Sequence, residues 1–230
     1  MGIYDIIFDT PLVEGIIQKR KSQFTILVDV NGEVFSKSND PNRKTPYTVE
    51  AISLNQPEDP NKSWIGINQN AANRYVEHYL RNDSFADMVG SLNANIQREK
   101  FLGFSKLDFL VGDTYLEVKT PLQQLQVDIP EYIKIKKVTP FSSTDRFVKH
   151  ITELANSLQN HQRAILLTCF IYDNPGFEVI KRSTNYEQVR KAVNNAVSKG
   201  VETWQVNFQI TPTKIRMLNY FKTTNDFLDN

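Results

Sequence analysis

The sequence predicts an α/β (α+β) fold in two parts: a small β domain over residues 1–67, then a mixed sheet with flanking helices over residues 68–230. Three observations lead there. Residues 14–67 carry short β-rich runs punctuated by turn formers. From residue 68 the apolar periodicity reads helix, three strands, helix, strand, helix, strand. At the centre, two alternating runs flank Gly112-Asp113, the two-residue punctuation that closes a β-hairpin.

The amino-terminal elements follow from local chemistry. Glu14 to Lys21 leads into a strand over Phe24 to Val30, and Asn31-Gly32 turns the chain into Glu33 to Phe35. Ser36 to Pro46 is a polar loop. Tyr47 to Leu54 is a further strand, Asn55 to Lys62 with two prolines is a loop, and Ser63 to Ile67 is a short strand. A single small sheet of four or five strands is expected from these runs.

In the second part, Asn68 is placed to cap a helix whose Ala71, Ala72, Tyr75, Val76, Tyr79 and Leu80 share one face. Ile96 to Phe101 is a strand, followed by the two strands of the hairpin. Tyr132 to Val138 alternates apolar and basic residues, as a strand or an extended loop does. Ser143 or Thr144 caps a helix carrying Phe147, Val148, Ile151, Leu154, Ala155 and Leu158. Ala164 to Tyr172 is a buried strand. Thr184 opens a helix that Gly200 stops, and Glu202 to Ile210 is the last strand expected.

Composition narrows the function classes. Among 230 residues there is no apolar run long enough to span a bilayer. Met1 to Thr10 contains acidic residues and lacks a signal-peptide pattern, so a cytoplasmic location and no membrane partner are expected. A single cysteine, Cys169, in an apolar run excludes an internal disulfide and a cysteine-clustered zinc site. The histidines His78, His150 and His161 lack metal-ligand spacing. A net charge of +1 supplies no global attraction to nucleic acid, so such contacts must come from local basic clusters. Oligomeric state is left open, with a homo-oligomer among the options.

The hairpin concentrates the chemistry. With Gly112-Asp113 as the turn, Val111 faces Thr114, Phe109 faces Leu116, Asp108 faces Glu117 and Leu107 faces Val118. Leu107, Phe109, Leu116 and Val118 then share one face, and Asp108, Glu117 and Lys119 the other. Two carboxylates directly opposed repel by roughly 0.2–1 kcal/mol, and a cation between them reverses the sign. Mg²⁺, or Mn²⁺ in its place, suits one or two carboxylates completed by water and phosphate. Lys119 lies where an ammonium can orient a metal-bound water or stabilise phosphate charge. Lys19, Arg20, Lys21, Arg43 and Lys44 are candidates for phosphate contacts on the β domain.

An acidic pair plus lysine on the second and third strands of such a unit resembles the PD-(D/E)XK nuclease core, in which a preceding helix or strand often adds an acid; Glu77 and Glu99 are the candidate extra metal ligands. A narrower resemblance follows from Arg98 to Leu110, Tyr115 to Thr120 and Thr144 to Leu154, with Arg43 to Thr48, Gly66 to Asn68, Ala72-Asn73 and Gly200 to Glu202 in the same order. These blocks resemble the sugar fermentation stimulation protein A family. The resemblance implies an OB-like domain over 1–67 joined to a PD-(D/E)XK nuclease-like domain over 68–230, with association with DNA. It assigns metal and catalytic roles to Asp108, Glu117 and Lys119, places Lys106 and Lys149 with the nucleic-acid contacts, and sets His150 and Glu153 at the site border. Departures are a missing stretch between Ser36 and Ser38, which shortens the OB-like unit, Lys106 in place of the usual arginine, and Thr139-Pro-Phe-Ser142 in place of an acid-bearing segment.

Two functions are therefore expected. One is a metal-dependent nuclease acting on DNA, ahead of RNA, through Asp108, Glu117 and Lys119. The other is a non-catalytic DNA-binding regulator of sugar metabolism with a vestigial metal site. A carbohydrate sensor is a third, suggested only by the family's name.

Overall fold

The computed structural model describes residues 4–20, 26–35, 47–90, 95–102, 105–121, 125–133, 143–161, 163–174 and 185–227. In chain order these form β1 (Ile6–Ile7), β2 (Ile16–Arg20), β3 (Ile26–Val30), β4 (Glu33–Phe35), β5 (Ala51–Ile52) and β6 (Ile65–Gly66). Then come α1 (Gln69–Arg81), α2 (Ala86–Val89), β7 (Ile96–Leu102), β8 (Ser105–Val111), β9 (Thr114–Lys119), α3 (Ser143–Ser157), β10 (Arg163–Phe170), α4 (Tyr186–Ser198), β11 (Glu202–Ile210) and β12 (Lys214–Lys222). A 3₁₀ turn over Thr224–Phe227 follows.

Seven strands make one mixed sheet in the order β1-β12-β11-β10-β9-β8-β7. β7, β8 and β9 form an antiparallel meander, β9, β10 and β11 run parallel, and β12 and β1 return antiparallel. The parallel connections pass through α3 and α4, as parallel neighbours require a crossover. β10, central and parallel, is buried from Ala164 to Phe170, so both its faces must be apolar and it reads as an unbroken hydrophobic run.

Each face of the sheet carries its own core. On one, Ala72, Tyr75, Val76 and Tyr79 of α1 pack with Phe109, Leu116, Ile165, Leu167, Val206 and Phe208. On the other, Ile151 and Leu154 of α3 and Val193, Ala196 and Val197 of α4 pack with Leu110, Tyr115, Ala164 and Leu166. The α/β architecture with helices on both faces is thus present. No helix among the described residues is long and apolar enough to cross a membrane.

Among the described residues, the strands before residue 67 do not join one sheet, contrary to expectation. β2-β3-β4 and β5-β6 are separate, and β1 pairs with β12 in the large sheet. β6 is docked to the segment after β10, with the Gly66 N–H donating to the Ile171 carbonyl at 2.8 Å. A Cβ at Gly66 would fall 2.2 Å from the Ile171 side chain, so only glycine permits this approach. Asn68 stands at the N-cap of α1, but its amide donates to both Glu50 carboxylate oxygens at 2.9 and 3.0 Å instead of capping the helix. Residues 134–138, the larger part of the Tyr132 to Val138 run, lie outside the described residues, as does Thr184.

β11 is not the last strand. β12 adds Ile215 and Met217 to the core, and its basic residues are neutralised from neighbouring elements. Lys214 and Arg216 meet Asp5, at 2.7 and 3.2 Å. Lys222 meets Glu202 at 2.9 Å, and Arg163 meets the same carboxylate at 2.7 Å. Burial alone would push the Glu202 carboxyl up, but hydrogen bonds from Arg163, Lys222 and Trp204 pull it down to about 2.

Because the folded value lies below the unfolded value of 4.5, this carboxylate's stabilisation is complete above the unfolded value and disappears as pH falls through the folded one. Glu202→Gln should therefore lower urea stability at neutral pH by about 1–3 kcal/mol, with the difference closing in strong acid. Equal midpoints for the two proteins at neutral pH would contradict it.

Candidate functional site

The turn at Gly112-Asp113 forms as read, with Gly112 at φ +59°. Val111 pairs with Thr114, Leu110 with Tyr115 and Phe109 with Leu116. There the ladder stops. The Val118 N–H, which a continuing ladder would give to the backbone of β8, donates instead to Asp108 Oδ2 at 2.8 Å. The Asp108 N–H in turn points to Glu117 Oε2 at 3.4 Å. On the other side, β7 and β8 pair at Arg98–Phe109 and at Lys100–Leu107 but skip Glu99 opposite Asp108. Glu99 has φ +50°, a left-handed conformation that costs a non-glycine residue about 1–2 kcal/mol. Glu99, Asp108 and Glu117 therefore lie on one row across three strands, and the sheet is irregular along that row.

The irregularity changes which way side chains face. Ile96 and Phe109 pack on the α1 side, whereas Leu102 and Leu107 pack on the α3 side. The expected face shared by Leu107, Phe109, Leu116 and Val118 is thus corrected: Leu107 belongs to the opposite core. Strict alternation fails because the pleat is interrupted at Glu99 and Asp108. Asp108 and Glu117 accordingly do not stand side by side on a flat face. Asp108 is reached from α1, where Asn73 Nδ2 donates to Oδ1 at 2.7 Å, and Glu117 is reached from α3. Glu117 Oε2 reaches the Asp108 N–H through the break in the ladder, and the charge of Glu117 is felt by the Asp108 carboxyl.

Asp108 is half-buried, and its carboxyl is pushed above the usual carboxylate range by burial and then by the negative charge of Glu117. The Val118 N–H, the Lys119 ammonium and the Asn73 amide oppose that rise without cancelling it. Glu117 is almost fully buried, with 2% of its side chain exposed. Its Oε1 takes two donors: Lys119 Nζ and, at 2.6 Å, His150 Nδ1. A proton on Nδ1 fixes the imidazole tautomer of a neutral His150. Lys119, its side chain 32% exposed, is the most accessible member of this trio.

The other sequence-derived candidates scatter. Glu77, one turn beyond Asn73 on α1, is held by Arg81 at 2.7 Å and Arg98 at 3.1 Å. Glu99 is exposed and paired with Lys106 at 2.5 Å, which holds its carboxyl low. Neither joins Asp108 and Glu117. Lys149 is exposed on α3 beside His150, and Glu153 keeps a buried Oε2 with no hydrogen-bond partner. Lys19 is exposed on the separate β2-β3-β4 sheet. Lys21, Arg43 and Lys44 lie outside the described residues, as does the side chain of Arg20. Asn73 was missed as an Asp108 partner: an asparagine inside a helical run carries no sequence signal for a contact 35 residues away.

The donors fit a hard divalent cation in part. Two acidic oxygens, one on a carboxylate destabilised by its neighbour, match the one or two protein ligands that Mg²⁺ ordinarily takes. They do not make an all-protein cage. Among the described residues, no three His, Cys, Asp or Glu side chains group as a metal site.

A family model described as "Sugar fermentation stimulation protein RE domain" matches residues 70–214. A sugar fermentation stimulation protein homolog of a Synechococcus species is 28% identical, covering 94% of each chain. One from Microcystis aeruginosa is 29% identical, covering 90% of this chain and 92% of its own. Among solved structures, Pyrococcus furiosus SfsA in complex with Ca²⁺ matches with a TM-score of 0.66 at 16% identity, covering 96% of this chain and 98% of its own, a likeness of fold.

The raised Asp108 carboxyl gives a stability signature. The folded state holds this proton more tightly than the unfolded chain, so stability falls as pH rises from the ordinary value of 3.8 through the folded one. Asp108→Asn should melt at a higher temperature than wild type at neutral pH, with the gap closing in acid. A variant less stable than wild type at neutral pH would show that the carboxylate is net stabilising.

Proposed function

This chain belongs to the sugar fermentation stimulation protein family, and from that premise we propose that it is a metal-dependent nuclease that hydrolyses phosphodiester bonds, DNA ahead of RNA. The observation that supports this most is the convergence of Asp108 and Glu117 on the break in the β8–β9 ladder, each carboxylate taking a backbone N–H there, with Lys119 on the second of them. Such an arrangement costs folding stability, and a bound cation removes that cost.

Asp108 and Glu117 are the residues to hold Mg²⁺ or Mn²⁺. The Ca²⁺ bound by the Pyrococcus relative supports a divalent cation here. When bound, the ion lowers the pKa of water and neutralises phosphate charge. The protein's own groups do the rest. Asn73 and the Val118 N–H hold Asp108 in place, while His150 and Lys119 occupy Glu117 Oε1 and leave Oε2 as the oxygen turned toward Asp108. Lys119, partly exposed, transfers its ammonium from Glu117 to the attacking water or a phosphate oxygen. Lys106 and Lys149 take flanking phosphates, and Lys19, Arg20, Lys21, Arg43 and Lys44 extend that role over an OB-like unit at residues 1–67. A cytoplasmic location completes this reading.

A second reading rests on the two-carboxylate donor set. With no three His, Cys, Asp or Glu side chains grouped to hold a metal ion among the described residues, the chain would be a non-catalytic DNA-binding regulator with a vestigial metal site.

Cleavage of labelled single-stranded and duplex oligonucleotides in Mg²⁺ or Mn²⁺ distinguishes them. Under the nuclease reading, chelation abolishes product, and Lys119→Ala lowers the rate by about 10²–10³-fold with an unchanged circular dichroism spectrum. Activity that survives both Asp108→Ala and Lys119→Ala removes the mechanism. Salt-sensitive binding that persists in chelator, without cleavage by wild type, favours the regulator.

A further inference from the structure

The outer strand of the large sheet presents a feature that the proposed chemistry leaves unused. Among the described residues, β7 has β8 on one side and no further strand on the other. Phe101 on β7 is 71% exposed, the most exposed large apolar side chain among the described residues. Its cross-strand partner is Lys106, whose Nζ lies 5.9 Å from the ring centroid. Arg98 and Lys100 are exposed on the same strand, so with Lys106 the edge carries three cations, of which Arg98 also meets Glu77 and Lys106 also meets Glu99. An exposed ring set among cations suits a polyanion bearing flat apolar groups.

The ring is also on the right side of the sheet. Leu102 and Leu107 pack against the α3 core, so Phe101 and Lys106, alternating with them, face the opposite way. That is the side from which Asn73 reaches Asp108. Lys106 and Asp108 are two residues apart on one strand, about 7 Å, close to one step of an extended polynucleotide. A phosphodiester at Asp108 and Glu117 thus places the next phosphate at Lys106 and its base at Phe101.

The geometry points to the β7–β8 edge as a platform for single-stranded nucleic acid, with an unpaired base stacked on Phe101 and its phosphate held by Lys106. This rests on the placement of the scissile phosphate at Asp108 and Glu117. A base in a duplex keeps its faces in the stack, whereas an unpaired base offers one, and every base has such a face. The platform therefore selects strandedness and tolerates any sequence.

The test is anisotropy of labelled 12-residue DNA and RNA oligonucleotides, single-stranded or blunt duplex, titrated with Asp108→Asn protein in Ca²⁺ to prevent turnover. Single strands should bind at least about tenfold tighter than duplex. Phe101→Ala and Phe101→Leu should each weaken single-strand binding about tenfold, while Phe101→Trp retains it. Lys106→Ala should reduce the slope of log affinity against log salt by about 0.7. Unchanged affinity in Phe101→Ala and Phe101→Leu overturns the platform, as does duplex binding at or above single-strand affinity. So does a concentration-dependent dimer that Phe101→Ala abolishes without affecting oligonucleotide binding, since the edge would then pair with a second copy. Metal-dependent cleavage by wild type that is indifferent to Phe101 and to strandedness removes this inference alone. Phe101-dependent binding without any cleavage removes the nuclease reading alone, and absence of both removes both.

Discussion

One hydrogen bond organises the site: the Val118 N–H donates to the Asp108 carboxylate and not to the backbone of the neighbouring strand. A carboxylate in this position is satisfied while remaining half-buried, but it takes the place of the backbone acceptor and interrupts the β8–β9 ladder. At the interruption Glu117 reaches the Asp108 N–H and Asn73 reaches Asp108 from α1. Everything proposed for the chain depends on that opening.

The opening needs firm surroundings. A broken ladder forfeits backbone pairing worth about 1 kcal/mol per hydrogen bond, and the flanking strands must hold their register without it. They do so because each belongs to a packed layer. Phe109 and Leu116 are fully buried beneath α1, and Leu107 is fully buried beneath α3. The side-chain change of face at Asp108 thus locks one strand into both cores, and a slip of one residue would expose Phe109 and Leu107 alike. Glu99, strained and exposed, sits on the same row at the sheet's outer edge. Backbone strain of this kind collects at working sites and is sustained by the packing around them.

The two carboxylates have different neighbours. Glu117, deeply buried, is bracketed by Lys119 and His150; Asp108 has neutral partners and feels Glu117 as a repulsive charge. One acid is compensated by the protein, and the other stays destabilised by burial and by its neighbour, with Lys119 offsetting only part of the rise. Proteins tolerate such a deficit where a ligand supplies the missing term. The proposed single-strand platform applies the same logic to the exposed Phe101 edge, where an apolar ring lies beside Lys106.

The amino-acid sequence alone determined the hairpin, its turn, the placing of Asp108 on one arm and of Glu117 and Lys119 on the other, and the helix–strand order from residue 68, because each is encoded in local periodicity and in the glycine at the turn. The family was also legible, from blocks spread along the chain. What depends on distant contacts was not: β12 beyond β11, the pairing of β1 with β12, the division of the early strands into separate sheets, and the turning of Asn68 toward Glu50. At the site, alternation put Leu107 on the wrong face and set Asp108 flatly opposite Glu117, since a period-two pattern assumes an unbroken pleat. Only the tertiary structure decided that Asn73 and His150 would approach the two acids from opposite layers, and that Glu77 and Glu99 would be taken up by Arg81, Arg98 and Lys106. Those choices are made by packing of helices onto sheet faces and by charges meeting across elements far apart in the chain, quantities that no local window of residues contains.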